Sequence, residues 1–389
     1  MTEKKQVLFV CYGLGIGGIE KCMVNLLNVL PEDQYDIDVL TMSPDSTMKP
    51  QIRRNVHFYD EFQYILYSGG AMDAIRSRGG IVRNMGKMLK LLAFRPLDQK
   101  GGNGYRIFKK LPKAYDIAIA YSQNGYPLYY VIDKVKAEKK VLWYHNGAYE
   151  ASETEQKKHR KYYPLFDSVV AVSEDGAKIL REKLPYVKDK ILVLKNFCDV
   201  AHIRDSAKAF QPEGFDKKRI HVVSVGRMTK EKGALLALDV CRQLRDRGKN
   251  VCWHWVGNGD QAEEVRRKIQ QLGLEADFIM EGNQSNPYPY IAGADIYVQP
   301  SFYEAYSTTV TEAKVLGKPM VVTDVGGMRD QLTEGENALI VPIDAEKMAD
   351  AIQLLIDNDS LRIKFGKSLE KSGFDTQAVL ESYQKTVLA

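Results

Sequence analysis

Two doubly wound α/β domains in tandem are the fold that this sequence predicts. Three observations lead there. Short β-branched or aliphatic runs alternate with segments of helical periodicity, the arrangement of βα units on a parallel sheet. That alternation restarts near residue 219. The 389 residues also exceed one ordinary core, at ~100 to 200 residues per domain.

In the first half QVLFVCYG reads as a strand and GGIEKCMVNLLNVL as its helix. YDIDVLTM, YDIAIAYS and KKVLWYHN follow as strands, then SVVAVS with the helix EDGAKILREKL. In the second half KRIHVVSVG leads into KGALLALDVCRQLRDRG. VCWHWVG, EEVRRKIQQLG, ADFIMEG, ADIYVQP, a helix around TTVTEAKVLG, PMVVTDVGG and ALIVP complete the pattern. Between residues 198 and 217, Pro212, Gly214 and mixed charges break the periodicity and mark the join. The expected domains are 1–200 and 201–373, with the weakly amphipathic stretch 374–389 packing back on the first. Ligands of open α/β sheets sit beyond the carboxyl ends of strands, so chemistry is expected in those loops and in a cleft between the sheets.

Composition narrows the function classes. A hydrophobic fraction of 44% and a charged fraction of 27% are those of a folded globular chain. The apolar run in MTEKKQVLFVCYGLG is too short for a signal peptide, and no stretch of ~18 apolar residues predicts a transmembrane helix. Cys11, Cys22, Cys198, Cys241 and Cys252 are odd in number and scattered, which fits a reduced cytoplasmic setting better than disulfides or a metal motif. Of the net charge of +5, the stretch 71–113 carries an excess of nine, eleven Lys and Arg against Asp73 and Asp98, so the basic character is local. There MGKMLKLLAFRPL mixes cations with Met85, Met88, Leu89, Leu91, Leu92 and Phe94. It suits either an anionic membrane surface at the inner face of the cell membrane or a solvated helix over the core. No nucleic-acid partner is expected.

Several segments carry chemistry. PSFYEAYSTTVTEA places Glu304 and Glu312 after a strand. If Ser307 or Thr308 opens the helix, its first N–H groups and positive dipole end form a phosphate seat. Glu304 then lies in the loop, and Glu312 can offer a carboxylate to ribose hydroxyls. In SVGRMTKEKG, Arg227 and Lys232 flank the turn after a strand, a fork and a point charge suited to two phosphates. No Asp-x-Asp pair stands in a strand-end loop to hold a divalent cation there, so no metal is expected. YGLGIGGIE fits the dinucleotide fingerprint through Gly13, Gly15 and Gly18. Its second strand, however, ends in Thr41, Met42 and Ser43, without the acid that would hold a ribose, and Asp38 sits too early for a dehydrogenase. His145 and Asn146 follow a strand, and the imidazole is either structural or a donor to a substrate oxygen. His57, His159, His202, His221 and His254 form no metal-spaced pair on one helix and read as structural or surface. Gly257 in GNGD and Gly282 in EGNQ either line a nucleotide base or make ordinary turns.

Taken in order, GIGGIEK, His145–Asn146, AVSED, LKNFCD, GRMTKEKG, GNGD, PSFYEAYSTTVTEA and TDVGGMRDQLTEGENALIV resemble the GT-B glycosyltransferases of the large retaining family numbered four. The resemblance covers nearly the whole chain and is weakest between residues 45 and 115. It implies two Rossmann-like domains facing a cleft, the first binding the acceptor and the second the nucleotide-sugar donor. It implies further that Arg227 and Lys232 bind the donor diphosphate, with the N–H groups of Ser307 and Thr308 completing the seat. Gly17 and Gly18 close over the diphosphate, Glu312 holds the ribose, Glu304 contacts the donor sugar, and His145 lies by sugar and acceptor. The implied activity is retaining, metal-independent transfer of a hexose or N-acetylhexosamine from a UDP-sugar co-substrate to a glycan or lipid-linked acceptor, in surface polysaccharide or glycolipid synthesis. No other cofactor is implied. Ala305, Tyr306 and Ser307 depart from the common Glu-Gly-Phe-Gly form, which bears on sugar preference. The alternatives are a nucleotide-sugar epimerase of the same fold and a non-catalytic sugar-nucleotide-binding scaffold.

Overall fold

A computed structural model describes residues 3–43, 45–59 and 104–389. The part of the basic stretch from 71 to 103, with its membrane-surface reading, lies outside the described residues. The chain divides into two compact units, Met1–Phe197 with Gln377–Ala389, and Cys198–Thr376.

The first unit is a seven-stranded sheet in the order β3-β2-β1-β4-β5-β6-β7. Its strands are β1 (Lys5–Cys11), β2 (Tyr35–Thr41), β3 (His57–Phe58), β4 (Ala114–Ala120), β5 (Lys136–Tyr144), β6 (Ser168–Ala171) and β7 (Ile191–Val193). Every pairing is parallel. The helices are α1 (Gly18–Val29), α2 (Tyr126–Lys134), α3 (Glu153–Tyr162) and α4 (Glu174–Lys183). Val7, Leu8, Phe9 and Val10 are buried because a central parallel strand is covered on both faces. α3 starts at Ser152, whose side chain accepts from Glu155 N–H while Glu155 reaches back to the Ser152 N–H.

The C-terminal helix α12 (Thr376–Thr386) belongs largely to this unit. Tyr383 packs its ring 5.4 Å from Trp143 and donates its hydroxyl to the Lys195 carbonyl at 2.8 Å. Lys139 Nζ caps the end of the helix through the Thr386 carbonyl at 2.8 Å, a cation at the negative dipole end.

The second unit has six parallel strands in the order β10-β9-β8-β11-β12-β13. They are β8 (Ile220–Val225), β9 (Val251–Val256), β10 (Phe278–Gly282), β11 (Ile296–Gln299), β12 (Met320–Thr323) and β13 (Ala338–Val341). Alternate residues feed two cores. Val222, Trp253, Val298 and Val321 pack against α6 (Ala234–Asp246), α7 (Ala262–Leu272) and α10 (Ala345–Asp357). Val223, Tyr297, Met320 and Val322 pack with α8 (Tyr288–Gly293) and α9 (Thr308–Val315) on the other face. Each fully buried aliphatic side chain contributes about 1.5 to 3 kcal/mol. Two further helices are α5 (Val200–Ser206), which occupies the stretch read as a break in periodicity, and α11 (Asp359–Ser372). α5 forms there because the Asp199 side chain accepts from His202 N–H and Ile203 anchors it to the core.

Candidate active site

In the second unit the strand order reverses between β8 and β11, the place where doubly wound sheets receive ligands. The loop after β8 carries Arg227 and Lys232, and the loop after β11 carries Glu304 and Ser307. The two loops are held together. Phe302 N–H donates to the Glu231 carbonyl at 2.8 Å. Gly233, at φ +75°, lies so close to the Pro300 carbonyl that a β-carbon would collide with it.

Lys232 Nζ donates to Glu304 Oε1 at 2.7 Å, and that oxygen also accepts from Ser301 Oγ at 2.8 Å and Gln299 Nε2 at 3.2 Å. Glu304 is 6% exposed, and three donors converge on one of its oxygens, which compensates the cost of burying a carboxylate. Gln299 is oriented in turn by Tyr297 OH and Thr309 Oγ1, both donating to Gln299 Oε1, at 2.7 and 3.0 Å. Gln299 and Ser301 are functional neighbours that sequence reasoning missed. The available signal was a glutamine closing an otherwise apolar strand, IYVQ.

Helix α9 opens where expected, with Ser307 as N-cap accepting from Val310 N–H at 3.4 Å. The structure changes the expected phosphate seat in one respect. Ser307 N–H is already donated to Gln331 Oε1 at 2.9 Å, and Gln331 Nε2 returns a bond to the Ser307 carbonyl at 2.8 Å. The N–H groups of Thr308 and Thr309, in the first turn, have no intrahelical acceptor. Glu312, in the second turn of α9, is 2% exposed. The Arg227 side chain is exposed, and its charge acts on the nearby Glu231 carboxylate.

The glycines act by allowing close approach. Gly327, at φ +74°, brings the loop after β12 against the Ala305 carbonyl, where a β-carbon would collide, and Gly326 lies against the Glu304 carbonyl. Gly257 and Gly282 meet directly, Gly257 N–H donating to Gly282 O at 2.7 Å, while Gly257 also lies against the Gly226 carbonyl. Trp255 Nε1 fixes that carbonyl from below at 3.0 Å. The ends of β8, β9 and β10 are thus tied together behind Arg227.

In the first unit the order reverses between β1 and β4. Gly17 is the N-cap of α1 in an extended conformation (φ −164°), and Gly18 is the first helical residue. A β-carbon on Gly17 would collide with the Glu20 carboxylate, and one on Gly15 with Asp45. His145 follows β5, is 7% exposed, and packs edge-on against Tyr121 with ring centroids 4.6 Å apart. Its backbone N–H donates to Gln123 Oε1 at 3.3 Å, and the ring Nε2 has no hydrogen-bond partner among the described residues. Burial pushes the imidazole down to about 3, so it is neutral at physiological pH. A buried imidazole nitrogen without a partner is unfavourable alone and suits a site completed by a ligand.

Two family models account for most of the chain: "Glycosyl transferases group 1" over residues 205–372 and "Glycosyltransferase Family 4" over residues 16–202. The chain belongs to glycosyltransferase family four and has the GT-B fold. It is 21% identical over 291 residues to an uncharacterized glycosyltransferase of Methanocaldococcus jannaschii, covering 63% of this chain and 71% of that one. It is 27% identical over 202 residues to the Campylobacter jejuni N-acetylgalactosamine-N,N'-diacetylbacillosaminyl-diphospho-undecaprenol 4-alpha-N-acetylgalactosaminyltransferase, covering 51% of this chain and 53% of that one. The match thus spans only about half of the Campylobacter enzyme. The solved Anabaena HepE, in complex with UDP and glucose, superposes with a TM-score of 0.75 at 18% identity, over 99% of this chain and 100% of that one. Among the described residues no helix is long and apolar enough to cross a membrane.

Proposed function

We propose that this glycosyltransferase moves a hexose or N-acetylhexosamine from a UDP-sugar to a glycan or lipid-linked acceptor, with retention of anomeric configuration and without a divalent metal at the diphosphate. One observation carries the reading. At the switch point of the second unit, Lys232 is bonded to the buried carboxylate of Glu304 at 2.7 Å, and the same two strand-end loops carry Arg227 and the start of α9. A nucleotide-sugar donor is supported by HepE, which is in complex with UDP and glucose, and a lipid-linked acceptor by the Campylobacter enzyme, which acts on a diphospho-undecaprenol acceptor.

In this reading Arg227, Lys232 and the first turn of α9 grip the diphosphate, and Glu312 holds the ribose. The bond from the anomeric carbon to the β-phosphate oxygen breaks as the acceptor oxygen bonds to that carbon on the same face. The acceptor proton passes to the departing phosphate. Cations and N–H groups fixed before reaction stabilise the charge that develops there. Glu304, on the same network as Lys232, faces the sugar. In the first unit, neutral His145 is left to offer Nε2 to an acceptor oxygen. Gly257 and Gly282 shape the wall beside the base. The basic stretch 71–113 serves, in this account, to bring the enzyme to an anionic membrane surface at the inner face of the cell membrane.

A donor screen tests the reading. UDP-sugars are expected to raise the melting temperature with the logarithm of ligand concentration over Kd, and to yield UDP only together with a glycosylated acceptor. UDP release or sugar isomerisation with no acceptor product would favour the epimerase instead.

A further inference from the structure

Away from the loops just described, β8 and β9 bring three buried side chains together near their amino-terminal halves. His221 pairs in register with Cys252, and Val223 with His254. Paired residues, and residues two apart, share a face of a parallel sheet. His221, Cys252 and His254 are therefore on one face, 3%, 5% and 1% exposed, with one ligand atom from each within 4.8 Å of the others.

The hydrogen bonds fix which imidazole nitrogens turn inward. His221 Nε2 lies 2.7 Å from the Asp216 carbonyl, which only accepts, so that nitrogen carries the proton. His254 Nδ1 lies 2.7 Å from Glu281 Oε1, a carboxylate, so that nitrogen carries one too. Outward N–H groups held by a carbonyl and a carboxylate are the outer shell that orients metal-binding histidines. The remaining nitrogens, His221 Nδ1 and His254 Nε2, face each other at 3.0 Å. So oriented, these two nitrogens would oppose their lone pairs, and either a shared proton or a metal ion between them relieves the repulsion. Phe215 stacks on both rings, at 4.7 Å from His221 and 4.1 Å from His254, and shields the pair from water.

We propose that His221 Nδ1, His254 Nε2 and Cys252 Sγ form a structural site for a zinc-like divalent ion. Imidazole with thiolate selects such an ion over magnesium or calcium, which take oxygen ligands. Zn–N bonds of about 2.0 to 2.1 Å and a Zn–S bond of about 2.3 Å, in tetrahedral array, require donors roughly 3.3 to 3.6 Å apart. The two nitrogens, 3.0 Å apart, would open slightly, the sulfur would close by at most little more than an ångström, and the fourth position falls to a ligand outside this trio. The thiol gives its proton to solvent as sulfur bonds the metal, so affinity falls as pH falls. The ion would fasten β8, β9 and the segment around Phe215 and Asp216 at the end of the sheet remote from Arg227 and Lys232. This role is independent of sugar transfer.

The test uses the full chain. The protein, freed of metal by dialysis against a chelator and titrated with Zn²⁺ or Co²⁺, is expected to take up one equivalent. The cobalt form should show a near-ultraviolet sulfur-to-metal band and the visible bands of four-coordinate Co²⁺. Cys252→Ser, which nearly keeps the side-chain volume, should lose the near-ultraviolet band and bind zinc at least a hundredfold more weakly. Cys241→Ser, at another buried cysteine, should change neither. A wild-type protein that binds no stoichiometric zinc, or a sulfur band that survives Cys252→Ser, would overturn the site and leave a shared proton between the histidines. Should Cys252→Ser fail to fold, the wild-type stoichiometry and cobalt spectrum decide alone.

Discussion

Lys232 gathers much of the site's energetics in one ammonium group. It neutralises Glu304 while the donor is absent, and in the proposed reaction it meets the charge developing on the leaving phosphate. Lys232→Ala is expected to lower kcat by about a hundredfold to a thousandfold, the ~2.7 to 4 kcal/mol of one lost electrostatic donor. It should also lower the melting temperature, because Glu304 would keep only Ser301 and Gln299 as partners. Glu304→Gln should lower kcat with little change in melting temperature, since an amide oxygen can still accept from Ser301. Single-turnover kinetics beside thermal melts separates the two effects. His145 yields a different prediction. Held down at about 3, it does not titrate between pH 5 and 8, so the pH profile of kcat should show no limb that His145→Asn removes. The motif residues themselves were legible in the sequence, because strand-end loops and helix starts announce themselves by type and spacing. Their supporting shell was not. Gln299, Ser301, Gln331 and Gln123 act through side-chain bonds whose partners lie from three to 24 positions away, and no periodicity marks such pairs.

At the scale of elements, α9 and the glycine turns set the geometry. Ser307→Ala removes the cap of α9 and is expected to destabilise by ~1 kcal/mol, whereas Ser307→Gly costs only a few tenths. Denaturant melts that rank the two variants the other way would contradict the capping role. Gly327→Ala should be worse than either, since alanine at φ +74° is strained and its β-carbon meets the Ala305 carbonyl. Its kcat should fall with its stability, because that carbonyl adjoins Glu304. The strands were readable as apolar runs, and α9 from its cap. Helix α5 was not, because seven residues with one apolar anchor leave no period to detect and only the Asp199 cap betrays them. The grouping of His221, Cys252 and His254 was hidden for a related reason. Ligand spacing was sought along one helix, whereas parallel strands place residues 33 positions apart side by side.

For the whole molecule, two separately cored units follow from the restart of the βα pattern, and the return of α12 to the first unit depends on Tyr383 finding Trp143 and the Lys195 carbonyl. Acid stability belongs to this scale. His145 and His159, held by burial at about 3 and about 4, bind fewer protons folded than unfolded below pH ~6.5. Their contribution is fully present above that pH and is lost as pH falls toward those values, by up to about 1.4 kcal/mol per pH unit for each. Urea melts from pH 7 to pH 4 should show this slope, and His145→Asn should flatten it.

The central claim is that the second unit holds a nucleotide diphosphate with Arg227, Lys232 and the mouth of α9, and needs no magnesium or manganese to do so. Calorimetric titration of UDP into the full chain, with and without those ions, tests it most directly. The account predicts one site of equal affinity in both buffers, weakened at least tenfold by Arg227→Ala or Lys232→Ala. Binding that requires the added ion, or that is the same in both variants as in the parent, would contradict it.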